Sequence, residues 1–481
     1  MNPLLCLLII PLALALLGLY SRGARWIPWT AAMAMVVQLA VVIYTCLPVL
    51  RHPGAVAADF GIDGPSAAFL LIVTLVAACA LIQAAFLLPA ERQNEEIPDR
   101  RFCFFYTLCG LFLLAMYGVL LSQHLGYLWI AMEATTLLSA PLVYYHRSRR
   151  SLEAAWKYLL LCSVGIALAL FGTLLIAAAQ HTTGAITLSF SALQAHAASF
   201  DPRLLRLGFI FCILGFGTKA GLFPLHNWLP DAHSEAPAPA SAMLSGALLN
   251  CALLAIWRLA QMMDAAGQGA LVRQVLVPAG AITVLAAGVM LLRQHDLKRM
   301  WAYSSVEHVG LLTLAIGIGA TPLFLLHALN HSLVKVALFL LAGNILHLYG
   351  TKSLNKLSGL LQASPLWGGL LTAATFAIAG SPPFGTFISE WLLLRDTFAA
   401  GERLAAVLVL VGLTITFIAL TTHVARVVFG QAPSSVTRTP ARSWAVVPSL
   451  LMIASLATGL AISPAVMAVL TSVAMGKVGM P

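Results

Sequence analysis

The sequence predicts an all-α polytopic membrane protein of about 14 transmembrane helices, with two broken helices and two inverted five-helix repeats. Composition is the first reason: of 481 residues, 60% are hydrophobic and only 9% are charged, and the mean hydropathy is +0.92. Soluble globular domains carry about 25% charged residues. The formal net charge of +10 is therefore expected to report membrane topology rather than nucleic-acid binding.

Apolar runs of about 20 residues, the length that crosses a bilayer, recur along the whole chain. The predicted spans are 3–20, 26–50, 65–89, 103–121, 125–146, 155–180, 204–228, 237–262, 271–292, 300–319, 322–349, 364–399, 404–429 and 444–470. They divide the chain into three N-terminal helices (1–102), a first five-helix repeat (103–262), a second five-helix repeat (263–430) and a C-terminal helix (431–481).

Basic residues concentrate in every second connection between spans. The odd-numbered connections carry Arg22, Arg25, Arg92, Arg100, Arg101, Arg147, Arg149, Arg150, Arg293, Lys298, Arg299, Lys352, Lys356, Arg438 and Arg442. The even-numbered connections are poorer, with Arg51, Arg203, Arg273 and Arg403. The positive-inside rule then predicts a multi-pass protein of the cytoplasmic (inner) membrane with both termini on the periplasmic side.

Glycine and proline interrupt the seventh span at Gly217–Pro224 and the twelfth span at Gly380–Gly385. The two interruptions lie five spans apart, which is an odd number, so the two five-helix units would have opposite orientations. Inverted repeats of this kind commonly carry the ion path at their broken helices. The interruptions are therefore the predicted centres of function.

Two ionisable residues lie deep in the first unit. Lys219 lies within the first interruption, and Glu133 is near the middle of the fifth span. Burying either charge in lipid is costly, and intramembrane ionisable groups are usually functional. We expect Glu133 and Lys219 to form a pair that changes protonation when a neighbour changes; the alternative is a fixed ion pair that joins two helices.

The second unit carries a polar stripe. His327, His331 and Lys335 follow at four-residue steps, which puts them on one helical face about 6 Å apart. Such a stripe can hold water and pass protons, although a single histidine more often makes an interhelical hydrogen bond. Iron or zinc ligation is disfavoured because no carboxylate shares that face. Glu390 follows the second interruption, at the place expected to match Lys219 by symmetry; the alternative is a helix-start carboxylate.

Four further ionisable residues lie nearer the predicted cytoplasmic ends of spans: Glu153, Lys157, Glu307 and His308. They could load protons into the chain or be ordinary interfacial charges, and the sequence favours neither. The 8 cysteines show none of the close pairs of zinc or iron–sulfur sites, so no metal or cofactor site is expected in this chain.

The run from Phe216 to Pro237, FGTKAGLFPLHNWLPDAHSEAP, closely resembles the signature of the antiporter-like, proton-translocating subunits of respiratory complex I. Segments 133–136, 151–158, 303–310 and 329–335 look most like the hydrogenase-4 component F family of group 4 energy-converting nickel–iron hydrogenases. The resemblance implies fourteen helices with two inverted units. It also implies proton-translocation roles for Glu133, Lys219, His327, His331, Lys335 and Glu390.

One position departs from the pattern. Complex I members typically carry a second lysine in the eighth span, where this chain has Asn250, which can bridge waters but cannot hold a proton. The resemblance implies a non-catalytic, proton-translocating subunit of a group 4 hydrogenase or formate hydrogenlyase-type complex, with nickel–iron and iron–sulfur centres in partner subunits. The alternatives are a complex I (NADH:quinone oxidoreductase) subunit, a cation/proton antiporter subunit, or a scaffold whose buried charges only join helices.

Overall fold

The computed structural model describes residues 3–21, 25–52, 56, 58–180, 186–433, 440–462 and 464–475. Arg22 and Arg438, two of the basic residues used to predict topology, lie outside the described residues. All of the predicted site residues lie within the described residues.

The described residues fold into 20 α-helices, and their only β structure is three isolated bridges. The helices are α1 (Pro3–Tyr20), α2 (Ile27–Arg51), α3 (Gly64–Glu95), α4 (Asp99–Leu121), α5 (Leu125–Val143), α6 (Arg149–Ala178), α7 (Phe190–His196), α8 (Pro202–Ala220), α9 (Trp228–Glu235), α10 (Ala238–Met243), α11 (Leu249–Ala265), α12 (Gly269–Leu291), α13 (Leu297–Gly317), α14 (Thr321–Tyr349), α15 (Leu360–Ala363), α16 (Pro365–Ile378), α17 (Gly385–Ala399), α18 (Arg403–Val428), α19 (Val446–Leu460) and α20 (Pro464–Met475). A π-helical turn, Leu244–Leu248, joins α10 to α11.

Among the described residues, 9 helical segments are long and apolar enough to cross a membrane: α2, α3, α4, α6, α10 to α11, α12, α14, α18 and α19 with the turn before it. The first helix and α16 are shorter apolar helices. The prediction of an all-α polytopic membrane protein is confirmed. The count of fourteen spans and the inverted repeats stay predictions.

The helix that carries Lys219 has a defined start and a defined end. Asp201 caps α8 by accepting hydrogen bonds from the backbone N–H groups of residues 203 and 204. Gly221, at φ +87°, ends it in the left-handed conformation that favours glycine. Lys219 therefore lies in the last turn of α8, just before the non-helical segment that ends where α9 begins at Trp228.

Both predicted interruptions occur in the structure. After the first, residues Trp228–Glu235 form α9, a short helix that the sequence analysis had assigned to a connection. The second separates the end of α16 at Ile378 from the start of α17 at Gly385. The Phe223–Pro224 and Pro382–Pro383 peptide bonds are cis.

Connections of like parity meet at the same end of the helix bundle. Even-numbered connections are joined by the isolated bridges Phe60–Ser122 and His124–Ser189. Odd-numbered ones are joined by the bridge Asp296–Ser353 and surround a cavity of about 600 Å³. Its basic lining residues are Arg150, Lys298, Lys352 and Lys356. The alternation of basic connections in the sequence thus corresponds to two distinct ends of the structure.

Helices α6 and α8 pack unusually closely through small residues. A Cβ atom placed on Gly172 of α6 would lie 2.6 Å from the carbonyl oxygen of Gly208 on α8. One placed on Gly215 of α8 would lie 2.5 Å from the carbonyl oxygen of Gly165 on α6. Small residues allow this approach between membrane helices. The contact brings the polar side chains of α6 next to Lys219.

Candidate functional site

Lys219 is fully buried at the end of α8 and is held by two hydroxyl groups. Its Nζ donates hydrogen bonds to Thr136 Oγ1 of α5 at 2.9 Å and to the Tyr158 hydroxyl of α6 at 2.8 Å. The ammonium also lies 4.8 Å from the centroid of the Tyr158 ring. These neutral groups solvate the cation without neutralising it.

Glu133 reaches Lys219 through Thr136. The carboxylate accepts a hydrogen bond from Ser163 Oγ of α6 at 2.7 Å and one from Thr136 Oγ1 at 3.5 Å. Thr136 has a single hydroxyl proton, which it donates to Glu133, while its oxygen accepts from Lys219. The expected pair is therefore joined by a hydroxyl rather than by direct contact between the described side chains. Glu133 itself is only half-buried.

Asn250 joins α11 to α14 directly after the π-helical turn. Its Nδ2 donates to Ser332 Oγ at 2.9 Å and to the carbonyl oxygen of Gly246 at 2.9 Å. Ser332 Oγ donates to the same carbonyl at 2.9 Å. Single π turns are common at functional sites because they leave backbone groups free for other partners. Asn250 Oδ1 has no hydrogen-bond partner among the described atoms.

Lys335 is buried in the middle of α14. Its Nζ donates to the carbonyl oxygen of Trp301 at 2.8 Å and makes a close hydrogen bond with Ser304 Oγ, both on α13. The adjacent Ser305 lies within hydrogen-bond distance, 2.8 Å, of Ser245 in the π-helical turn. Like Lys219, Lys335 is surrounded by neutral oxygen acceptors.

A cluster forms at the second interruption from helices α13, α14 and α17. His308 Nδ1 lies 3.0 Å from His327 Nε2 and 3.9 Å from Glu390 Oε1. The outer nitrogens are also engaged: His308 Nε2 is 3.2 Å from the carbonyl oxygen of Ile378, and His327 Nδ1 is 2.8 Å from Ser389 Oγ. We call these three side chains the His308–His327–Glu390 cluster.

His331 lies one turn from His327 on α14, with its ring centroid 5.3 Å from that of His308. It is fully buried, and neither ring nitrogen has a hydrogen-bond partner among the described atoms. The predicted stripe of His327, His331 and Lys335 is thus a continuous buried polar face.

Three details differ from the sequence analysis. Glu307 and His308 are not near a helix end: they are buried in the middle of α13, which begins at Leu297, three residues before the predicted span. No carboxylate lies on the α14 face, but Glu390 reaches the histidines from α17. Lys219 precedes its interruption whereas Glu390 follows the other one, so the two do not occupy equivalent places.

Glu153 and Lys157 lie on the exposed start of α6. They form an ion pair across one helical turn, and Lys157 Nζ is also 3.4 Å from Asp231 Oδ2 of α9. Asp231 in turn makes a close ion pair with Arg299 of α13. This surface network joins three helices at the end where the odd-numbered connections meet.

Sequence reasoning found the charged residues but missed several neutral ones that join them: Tyr158, Ser163, Ser332 and Ser389. Tyr158 stands in the quoted segment 151–158, so a signal for it existed. A signal for Ser332 existed as well, in the quoted segment 329–335. Ser163 and Ser389 are ordinary residues of apolar helices, and only the packing of the helices identifies them.

Comparisons with known proteins agree with this architecture. The chain is 39% identical over 378 residues, 77% of this chain and 79% of the relative, to a hydrogenase-4 component F homolog of Methylacidiphilum infernorum (isolate V4). It is 31% identical to NADH-quinone oxidoreductase subunit N of Desulforudis audaxviator (strain MP104C), over 71% of this chain and 66% of that relative.

Among solved structures, a chain of the membrane-bound sulfane sulfur reductase, an archaeal respiratory membrane complex, superposes with a TM-score of 0.88. The superposition covers 99% of this chain and 97% of that one at 24% identity, so it speaks to the fold alone. A sequence profile matches residues 122–416, which include both interruptions. The chain belongs to the NADH:quinone oxidoreductase/Mrp antiporter transmembrane family.

Proposed function

We propose that this chain is a proton-translocating membrane subunit of a multisubunit redox complex of the group 4 membrane-bound hydrogenase or formate hydrogenlyase type. The observation that carries the proposal is the buried ammonium of Lys219, joined by one hydroxyl to Glu133 beside a broken helix. A fixed structural charge is usually neutralised by a direct partner. Lys219 would instead exchange a proton through Thr136, which is hydrogen-bonded to both Lys219 and Glu133.

The proton route follows the buried polar groups across the bundle. It begins at Glu133 and Lys219, passes Asn250 and Ser332 between α11 and α14, and continues along Lys335 and His331. It ends at the His308–His327–Glu390 cluster beside the second interruption. Asn250 holds no proton, so its amide and the neighbouring hydroxyl would bridge the two halves by hydrogen bonding. Glu307 lies beside this route in α13.

The proposal includes a topology. The chain would cross the inner membrane about 14 times, with both termini periplasmic and the basic, odd-numbered connections in the cytoplasm. Residues 103–262 and 263–430 would be the two inverted five-helix repeats, with 1–102 and 431–481 at the ends. The meeting of odd-numbered connections at one end of the bundle supports this arrangement.

The redox chemistry would belong to partner subunits. Relatives of this chain are named as components of hydrogenase-4 and of NADH-quinone oxidoreductase, so nickel–iron and iron–sulfur centres are expected in the partners and none in this chain. Electron transfer in those partners would alter the charge near Glu133, whose half-buried carboxylate is open to a neighbour. The resulting shift of the Lys219 proton would pass along the polar axis.

The test is proton movement driven by the redox reaction in inverted membrane vesicles that contain the assembled complex. Lys219→Met should lower it by about tenfold or more, because hydrogen bonds to a charged group each contribute about 1.5–3 kcal/mol and 1.4 kcal/mol is about tenfold. Lys356→Met removes an exposed lysine and is the control. Unchanged proton movement in an assembled Lys219→Met complex would favour the scaffold alternative.

Partner identity and ion identity need separate measurements. Purification in mild detergent should recover soluble subunits that contain nickel; flavin-containing subunits without nickel would favour a complex I assembly instead. A cation/proton antiporter subunit would show sodium-dependent proton movement in vesicles without any electron donor. Independence from sodium is the expected result.

A further inference from the structure

The hydrogen bonds around His308 fix which nitrogen of its ring carries a proton. His308 Nε2 faces the carbonyl oxygen of Ile378 at 3.2 Å, and a carbonyl can only accept, so Nε2 carries the proton. In a neutral imidazole the other nitrogen, Nδ1, is then an unprotonated acceptor. This lone pair points at His327 Nε2, 3.0 Å away.

His327 has two tautomers that fit its neighbours. If Ser389 donates its proton to the carbonyl oxygen of Thr386, 3.0 Å away, His327 Nδ1 donates to Ser389 Oγ at 2.8 Å and Nε2 is unprotonated. If Ser389 donates to His327 Nδ1 instead, Nε2 donates to His308 Nδ1 at 3.0 Å. In the first tautomer two nitrogen lone pairs face each other at 3.0 Å, and Glu390 Oε1, which has no hydrogen-bond partner among the described atoms, lies 3.9 Å from one of them.

In that tautomer three electron-pair donors converge within 4.8 Å of one another, and a cation between them would satisfy all three. We propose that the His308–His327–Glu390 cluster binds a divalent transition-metal ion of the zinc class through His308 Nδ1, His327 Nε2 and one Glu390 oxygen. A water would supply the fourth ligand, as is usual in zinc sites with three protein ligands. A shared proton is the competing occupant.

The distances suit this ion. Tetrahedral zinc with bonds of about 2.0–2.1 Å holds its ligand atoms about 3.3 Å apart. The measured separations of 3.0 and 3.9 Å lie on either side of that value, and all three donor atoms are within 4.8 Å of one another. Zinc-bound histidines normally donate their second N–H to a carbonyl or another oxygen, which Ile378 and Ser389 supply here.

Glu390 is the least buried member of the cluster, with 7% of its surface exposed against 0% for His308 and 1% for His327. Glu390 packs against Gly380, where even a Cβ atom would collide with Oε2, and the following residues Pro382 and Pro383 are exposed. An ion that enters at this interruption would meet Glu390 first and the histidines behind it. Bound zinc would occupy the lone pairs needed to pass protons and block transport. This consequence rests on the proposed function, whereas the binding does not.

The experiment measures binding of Zn²⁺ to the purified, metal-stripped complex, with bound zinc counted per chain. His308→Gln and His327→Gln should each lose one equivalent, and Glu390→Gln should weaken its binding by about tenfold or more. His331→Gln is the matched control because it removes a buried histidine one turn away on the same helix, and it should keep the equivalent. Subunit composition of each preparation verifies assembly.

X-ray absorption of the first zinc equivalent in the unmutated complex needs no variant. It should show two imidazole nitrogens and one carboxylate oxygen at about 2.0–2.1 Å. Wild-type zinc content in both histidine variants, or a spectrum without imidazole, would overturn the proposal and point to a shared proton instead. Proton pumping by the variant complexes, measured without zinc, tests the proposed function separately, since the binding assay requires no transport.

Discussion

The two interruptions create chemically different centres. At the first, one buried cation, Lys219, is solvated by neutral hydroxyls, and its acid, Glu133, is half-buried at the outer surface. At the second, the acid Glu390 is enclosed, with 7% of its surface exposed, and faces two imidazoles. Under the proposed function, the first centre would respond to a neighbouring subunit, whereas the second would hold protons away from one.

The largest expected effect distinguishes the two acids. Glu390→Gln should reduce redox-driven proton movement in vesicles to background, because an amide cannot take up a proton and no other carboxylate reaches His308 among the described residues. Glu133→Gln should leave about a tenth, since its half-buried position allows water or a partner group to substitute. The control is Glu402→Gln, which removes the acid paired with Arg273 at the even-numbered connections.

Equal losses in the two variants would show that exposure does not separate the centres. Retained transport in an assembled Glu390→Gln complex would remove the second centre from the proton route altogether.

A smaller effect tests the hydroxyl that joins Lys219 to Glu133. Thr136→Val keeps the volume but leaves the buried ammonium one hydrogen bond short, at a cost of about 1.5–3 kcal/mol. Proton movement should fall by about tenfold. Thr135→Val is matched in position and burial, but among the described residues its hydroxyl bonds only to the carbonyl oxygen of Met132 in its own helix. That variant should stay within about twofold of wild type; similar losses in both would argue against a relay through Thr136.

The connection between the centres should be less sensitive still. Asn250→Leu removes the hydrogen bond to Ser332 but not a titrating group, and a neutral hydrogen bond is worth about 1 kcal/mol. We expect proton movement to fall by about fivefold. Asn344→Leu removes an equally buried amide, which accepts a hydrogen bond from Gln83 outside the axis, and should leave proton movement near wild type. No loss in Asn250→Leu would mean that the two centres communicate by another route.

These differences define what the sequence could predict. The first helix, predicted at 3–20, is found at Pro3–Tyr20, because a long apolar run in a membrane protein has few other conformations available. The short helix Trp228–Glu235 was missed because its proline and polar residues are typical of a connection. It is helical because Trp228 and Leu229 are buried against the bundle.

The functional site was likewise predictable only in part: the sequence identifies its charged residues but not their arrangement. Lys219, Lys335 and Glu390 stand out in sequence because a charge in lipid is expensive. Their arrangement does not, because it depends on which helices touch: Glu390 meets His308 only through packing of α17 beside α13. The serine and threonine hydroxyls that complete both centres carry no charge signal at all.

The smallest effect is expected at the surface pair of α6. Lys157→Met breaks ion pairs with Glu153 and Asp231, but both lysine and glutamate are about half exposed or more, at 47% and 63%. Water and salt screen exposed ion pairs, so this pair contributes little. Asp231 also keeps its pairing with Arg299, so the contact between α9 and α13 survives. Proton movement should change by less than about twofold. A loss of proton movement as large as that of Thr136→Val would instead mean that protons load the first centre at this surface. Arg299→Met would then be the comparison, because it breaks the ion pair with Asp231 but keeps Lys157. A loss confined to Lys157→Met would assign loading to Lys157, whereas equal losses would point to the ion-pair network as a whole.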